Sequence, residues 1–195
     1  MAAARYEPEG DVTFDLKHGL VHLGGAPARV LVPADALSLL CETAGKEATS
    51  AFGKAIGRAM GLRVAARLAE GRDADEVRAA VHRASVESLV DQLGGDFSIA
   101  GLGSIGIERW GHALVIVLDH CPMEQRGDGL IEVILSEAVT TLAARQTHAV
   151  LLERQSTRAR FLLTNEAAAE RVRAWLTSGS SWGDALARLH APQPS

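Results

Sequence analysis

Apolar positions recur along this chain in two rhythms, a long one of helical period and short alternating ones. From residue 34 to about 69, Leu37, Leu40, Ala44, Ala48, Phe52, Ile56 and Met60 follow a single helical stripe. Pro33 marks the start of that helix, and Asp35 in its first turn complements the helix dipole. Upstream, short alternating or β-branched segments predict strands at 12–16, 20–23 and 28–31, punctuated by His18-Gly19 and Gly24-Gly25, in a meander or hairpin. A second helical unit is capped near Asp73 and ends at Gly94-Gly95, with Val77, Val81, Val86, Leu89 and Leu93 on its buried face. Two antiparallel strands follow at about 97–109 and 112–119, joined at Trp110-Gly111. A third helix is expected over 127–145, then a hairpin with strands at 148–154 and 158–164 turning at Gln155–Thr157. A last helix runs from an Asn165 cap through Trp175, and "SWGDALARL" adds a short final turn.

Helix followed by hairpin thus occurs twice in succession, over 74–119 and 127–164. That order predicts an α+β fold: an antiparallel sheet covered by helices on one face, preceded by an N-terminal β-hairpin and a long helix. The second strand of each hairpin is more apolar than a surface strand needs to be, which suits a sheet face under helices. The expected organisation is a loose tail at 1–11, one domain over 12–176 (hairpin 12–33, core 34–164), and a short helix and tail at 177–195.

On a stripe beside the apolar one, Gly53, Gly57 and Gly61 are spaced by four. Each costs a helix roughly 1 kcal/mol against alanine, so close approach of a second helix is expected to offset them. The competing reading is a break in the helix near 61. Such spacing is familiar from membrane helices, but Lys46, Glu47, Lys54 and Arg58 exclude that setting here.

Composition narrows the function classes. The chain has 195 residues, 47% of them hydrophobic, which is enough for a real core. Net charge is −4 and the 20 basic residues are scattered, so nucleic acid is not expected as a partner. The longest strongly apolar run, "ALVIVL", is too short to span a bilayer, and the first residues lack a signal-peptide core; the expected location is the cytoplasm. Two cysteines, Cys41 and Cys121, fit a reducing compartment.

"GLGSIG" at 101–106 has dinucleotide-loop spacing, but no helix opens after it, so its glycines read as a bulge or a close backbone approach. His120–Cys121 at the end of "ALVIVLDHC" has three readings: a metal site with Asp119 and Glu124, a nucleophile with its base, or a buried thiol at a strand end. The last fits best, because neighbours on a strand point to opposite faces. The remaining histidines lack ligand spacing, and Arg158 and Arg160 read as a solvated strand face. Phe52, Phe97, Trp110 and Phe161 could all face one interior, either an ordinary core or a ligand cavity.

The segment "FDLKHGLVHLGGAPARVLVPADALSLLCETAGKEATSAFGKAIGRAMG" resembles the opening of ligand-sensing domains in bacterial activators of aromatic catabolism. "GDFSIAGLGSIGIERWGHALVIVLDHCPM" through "HAVLLERQSTRARFLL" resembles the 4-vinyl reductase, or hydrocarbon-binding, domain family, which is similar in fold to transport protein particle subunits. The likeness covers roughly 12–176 in layout and hydrophobic pattern. It implies a homodimer built on long helices, with Gly53, Gly57 and Gly61 as a close-packing line at the dimer interface. It also implies a pocket between helices and sheet, lined here by Phe52, Ile56, Phe97, Trp110, Ile116 and Phe161. Members bind small apolar molecules, tetrapyrrole precursors or acyl groups. Many carry a zinc site, of which Cys121 and Glu153 match two positions. Ser156 and its neighbours stand where the hairpin cysteines belong, so no zinc and no cofactor are expected.

These readings lead to a non-catalytic dimeric domain that binds a small hydrophobic ligand and signals to a partner protein, since nothing here resembles an ATPase or a DNA-binding helix-turn-helix. Two alternatives stay open. One is a scaffold or adaptor that kept the dimeric fold without a pocket, its core filled by Phe97, Trp110 and Phe161. The other is an enzyme acting on a tetrapyrrole or acyl substrate through Cys121.

Overall fold

The computed structural model describes residues 12–23, 29–69 and 74–191, without the side chains of 74–78 and 124. The expected tail at 1–11, the Gly24-Gly25 turn, the cap near Asp73, the Val77 side chain and the last four residues lie outside the described set. Strands β1 (Val12–Asp15) and β2 (Leu20–Leu23) form the N-terminal hairpin. The third expected strand is reduced to one bridge between Val21 and Arg29. Long helix α1 spans Ala34–Leu68, followed by α2 (Ala74–Arg83) and α3 (Val86–Ile99). Then come β3 (Ser104–Trp110) and β4 (Ala113–Asp119), a 3-10 turn at Glu124–Gly127, and α4 (Asp128–Ala143). β5 (His148–Gln155), β6 (Arg158–Thr164), α5 (Glu166–Thr177) and α6 (Trp182–His190) complete the chain.

Each helix–hairpin unit contributes two strands to one antiparallel sheet of order β3-β4-β6-β5. The apolar second strands, β4 and β6, pair in its centre, from Leu114 with Leu163 to Leu118 with Ala159. Both are covered on two sides, which explains their near-continuous hydrophobicity. One face carries the larger core, with Ile116, Leu118, Ala159 and Phe161 under α1, α3 and α4. The opposite face is covered too: Ala113, Val115, Val150, Leu152 and Leu162 pack under α5 and α6. The helices expected on one face are therefore joined by a second, smaller layer, because the "SWGDALARL" segment is a full amphipathic helix that docks rather than a stray turn.

Helix α1 bends at Gly45, whose φ of 81° and ψ of 174° belong to a region essentially restricted to glycine. The Thr49 hydroxyl bridges the break by donating to the Cys41 carbonyl at 2.9 Å. The expected break near 61 is absent, and the helix continues through Gly61. The expected apolar stripe is corrected as well: Leu37 and Ile56 pack on the core and Met60 is buried, but Leu40, Ala44, Ala48 and Phe52 are exposed. What α1 buries beyond the bend is the line Gly53, Gly57, Met60, Gly61, Val64 and Ala65.

The second helix that offsets the three glycines is this chain's own α4. A Cβ at Gly53 would meet Val133 at 2.8 Å, at Gly57 the Ile134 carbonyl at 2.4 Å, and at Gly61 the Ala138 carbonyl at 2.8 Å. Close packing is thus as expected, whereas the assignment of Gly53, Gly57 and Gly61 to a dimer interface is overturned, since α4 already fills the notches.

The helix expected to end at Gly94-Gly95 is two helices. Ser85 interrupts it in an extended conformation and caps α3 by accepting from the Ser88 amide. α3 then runs through both glycines to Ile99, so Phe97 belongs to a helix rather than to the first hairpin. Gly94 marks close packing against Ile105, not a helix end.

Candidate functional site

The six residues expected to line a pocket do not converge. Phe97, Ile116 and Phe161 are fully buried in the core between α1, α3, α4 and the sheet, and Ile56 packs against them. Phe52, 44% exposed, lies on the outer side of α1, one residue before the buried glycine line. Trp110, 45% exposed, is on the opposite sheet face, because Ile105 and Ile107 of the same strand already point toward the helices. There it meets Trp182 edge-on with ring centroids 4.9 Å apart.

The same core is bordered by a buried polar set between α1 and α3. Asp96 is sealed from solvent; its Oδ2 accepts from Arg63 Nε at 2.9 Å and its Oδ1 pairs with Arg67 Nη2 at 2.8 Å. Arg67 Nε also donates to the Gln92 side chain. Sequence reading missed this set, although an arginine pair at i, i+4 on the inner side of a helix was a signal for it.

The strand-end pair is resolved. His120 turns the chain with φ of 59° and is exposed, while Cys121 is buried in the core. Thiol and imidazole therefore face different surroundings, and Cys121 presents no nucleophile to a substrate. Cys121 and Glu153 do not converge either. A β-bulge between Leu151 and Glu153 switches the side-chain alternation, so Leu152 joins the α5–α6 core and Glu153 pairs with Arg160 on that face, at 2.7 Å. Arg154 instead turns toward Cys121 and pairs with Asp128 at the start of α4. Burial opposes its charge, but the hydrogen bond and charge of Asp128 outweigh it and hold its pKa above the usual arginine value. A resident guanidinium beside Cys121 suits no cation. Among the described residues no group of three His, Cys, Asp or Glu side chains could hold a metal ion.

The motif at 101–106 behaves as a loop entering β3. A Cβ at Gly103 would stand 2.5 Å from the Asp119 carbonyl, a close backbone approach. Arg158 and Arg160 are more than a solvated face. Arg160 donates to Glu108 and Glu153 and lies over the Trp182 ring, while Arg158 Nε lies 3.4 Å from Asp119 Oδ1. The Arg160 hydrogen bond outweighs burial and holds the Glu108 carboxyl below its usual range. A depressed carboxyl stabilises the fold above its unfolded value of 4.5 and loses that contribution as pH falls through the folded one. Glu108→Gln is accordingly expected to lower stability at neutral pH and to flatten the acid limb below about pH 4.5, so that wild type and variant converge in acid, as read by urea melts from acid to neutral pH.

A polar groove of about 210 Å³ lies elsewhere, on the outer side of α4, lined among others by Lys54, Glu132, Glu137, His148 and Arg173. It borders edge strand β5, whose amides are already occupied: Ser136 Oγ accepts from Ala149 and Glu132 Oε1 from Leu151. Arg173 closes the Ala149 carbonyl at 3.1 Å. These bonds blunt the strand edge, and they explain the groove's polar lining without a ligand.

No protein-family model matches the chain, and no curated protein does. Among solved structures, 95% of the chain matches 94% of the phenol-responsive sensory domain of the transcription activator PoxR, solved with phenol, at a TM-score of 0.56 and 16% identity. The likeness is one of fold. Among the described residues no helix is long and apolar enough to cross a membrane.

Proposed function

We propose that this chain is a non-catalytic sensing domain, distantly related to the 4-vinyl reductase family, that takes up a small apolar molecule and reports it to a protein partner in the cytoplasm. The observation that carries the reading is the match over nearly the full length of both chains with a sensory domain that holds phenol. Phenol comes into question here as one member of a class, the small aromatics. The uptake site is the layer between α1, α3, α4 and the sheet, around Ile56, Phe97, Ile116 and Phe161. Those side chains now fill one another's space, so a ligand enters by displacing Phe97 with α3, the element that joins two helices to an edge strand.

The packed state of Phe97, Ile116 and Phe161 favours a second reading, a scaffold with a filled core. Melting of the purified protein with toluene, phenol and a medium-chain fatty acid separates the two. A ligand at a hundred times its Kd stabilises by about 2.7 kcal/mol, or roughly 5–10 °C for a chain of this length. No shift with any of the three, and no compound retained in native mass spectrometry, would leave only the scaffold.

The homodimer is proposed on a new surface. Val30 and Leu31, 83% and 73% exposed, continue through Val32 to Leu39 and Leu40 on the arm of α1 before its bend. A run of this kind is unusual on a monomer surface and suits a twofold contact. The same native spectra then show twice the 20.6 kDa chain mass. Leu31→Asp with Leu40→Asp shifts it to the single-chain mass; a wild-type protein already at the single-chain mass contradicts the dimer.

A further inference from the structure

The break in α1 changes which side of the helix meets the core. Gly45 alone leaves helical geometry, and regular helix resumes on either side of it. Before the break Ala34, Leu37 and Cys41 pack on the apolar cluster; after it the buried line runs through Gly53, Gly57 and Gly61. Cys41 and Gly57 are 16 residues apart. An unbroken helix turns about 100° per residue and would place them roughly 160° apart, on nearly opposite sides. Both reach the interior only because Gly45 resets the phase. Two polar contacts brace the break: the Thr49 hydroxyl donates to the Cys41 carbonyl at 2.9 Å, and Glu42 lies 3.6 Å from Arg126 on the surface. A helix that restarts after Gly45 leaves the amides of its first turn, at Lys46, Glu47 and Ala48, without the carbonyls that an unbroken helix offers four residues back.

We propose that Gly45 is a hinge between two forms of α1: this bent one, with the arm Ala34–Ala44 laid on the core, and an unbroken one, in which the arm stands clear of it. The bent form gains the packing of Leu37 and Cys41. The unbroken form gains the amide hydrogen bonds of the first turn and releases a conformation open to glycine alone. Switching carries Cys41 from the core to solvent and redirects the exposed apolar surface of Val30, Leu31, Leu39 and Leu40. The hinge is a property of the single chain, independent of whether the core takes up a ligand or that surface pairs with a copy.

Gly45→Ala tests it, because a Cβ at Gly45 meets no atom within 4 Å and so acts only through the backbone. Alanine disfavours the bent geometry and favours continuous helix. Iodoacetamide labelling, with sites assigned by peptide mass, and residue-resolved amide exchange by NMR are compared in wild type and variant. Labelling of half-buried Cys41 should rise about tenfold or more, while Cys121, buried in the core, stays unreactive. Exchange at Lys46, Glu47 and Ala48 should slow at the same time, since those amides acquire carbonyl partners. Thr49→Val should move both readouts the same way by a smaller factor, and Thr49→Ser, which keeps the hydroxyl, should not. Unchanged Cys41 labelling in Gly45→Ala overturns the hinge. So does faster labelling with faster exchange at Lys46–Ala48, which is fraying of the arm, or an equal rise at Cys121, which is opening of the whole fold.

Discussion

Gly57→Ala is expected to destabilise the protein by about 2–3 kcal/mol, the upper part of the range for overpacking a tight interface. An alanine in mid-helix ordinarily gains up to about 1 kcal/mol over glycine, so the sign itself is diagnostic. Here the added methyl would stand 2.4 Å from the Ile134 carbonyl and 2.9 Å from Glu137 Cβ, and α4 cannot yield because its other side is fixed against the sheet by Ile131, Ile134 and Leu135. The melting temperature should fall by roughly 5–10 °C for a chain of this length. Gly129 of α4 is the control: a Cβ there meets nothing within 4 Å, so Gly129→Ala should be neutral or stabilising. Equal effects at both positions would mean that the seam between α1 and α4 is looser than described.

Asp96→Asn is the second large effect. The change keeps the side-chain shape but removes the charge that Arg63 and Arg67 share inside the structure. Removing one partner of a buried ion pair costs about 3–5 kcal/mol, since the charge left behind stays desolvated. Arg63→Met should cost less, because Arg67 still meets the carboxylate. Urea unfolding of both variants reads the order; an Asp96→Asn loss below about 1 kcal/mol would show that water reaches the carboxylate.

Much of this architecture was legible in the chain. Alternation and turn residues placed β4 and the β5–β6 hairpin within a residue or two, whereas β3 starts at Ser104 rather than near 97, and Asn165 caps α5 as its sequence position suggested. The repetition of helix and hairpin foretold one antiparallel sheet, because the two apolar second strands had to be buried together. What failed was the facing of individual side chains. Trp110 and Phe97 were grouped by type, whereas strand parity sends Trp110 away from Ile107 and the unbroken α3 carries Phe97 into the core. The apolar stripe of α1 misled because the bend at Gly45 resets the helical phase, and because the tightest face of that helix is marked by missing side chains rather than by large ones. The glycine spacing signalled close approach but carried no information on whether the partner helix was in the same chain. Glu153 was displaced by the extra residue of a bulge, which no periodicity announces. The Asp96 cluster was overlooked since Arg63, Arg67 and Asp96 are far apart in sequence and ordinary in type.

Amide hydrogen exchange with and without a saturating small aromatic tests the account at its centre. Slowed exchange confined to α1 after its bend, α3, α4 and the facing amides of β4 and β6 is the predicted result. Unchanged exchange throughout, or protection in α5 and α6 instead, would contradict the assignment of the sensing layer.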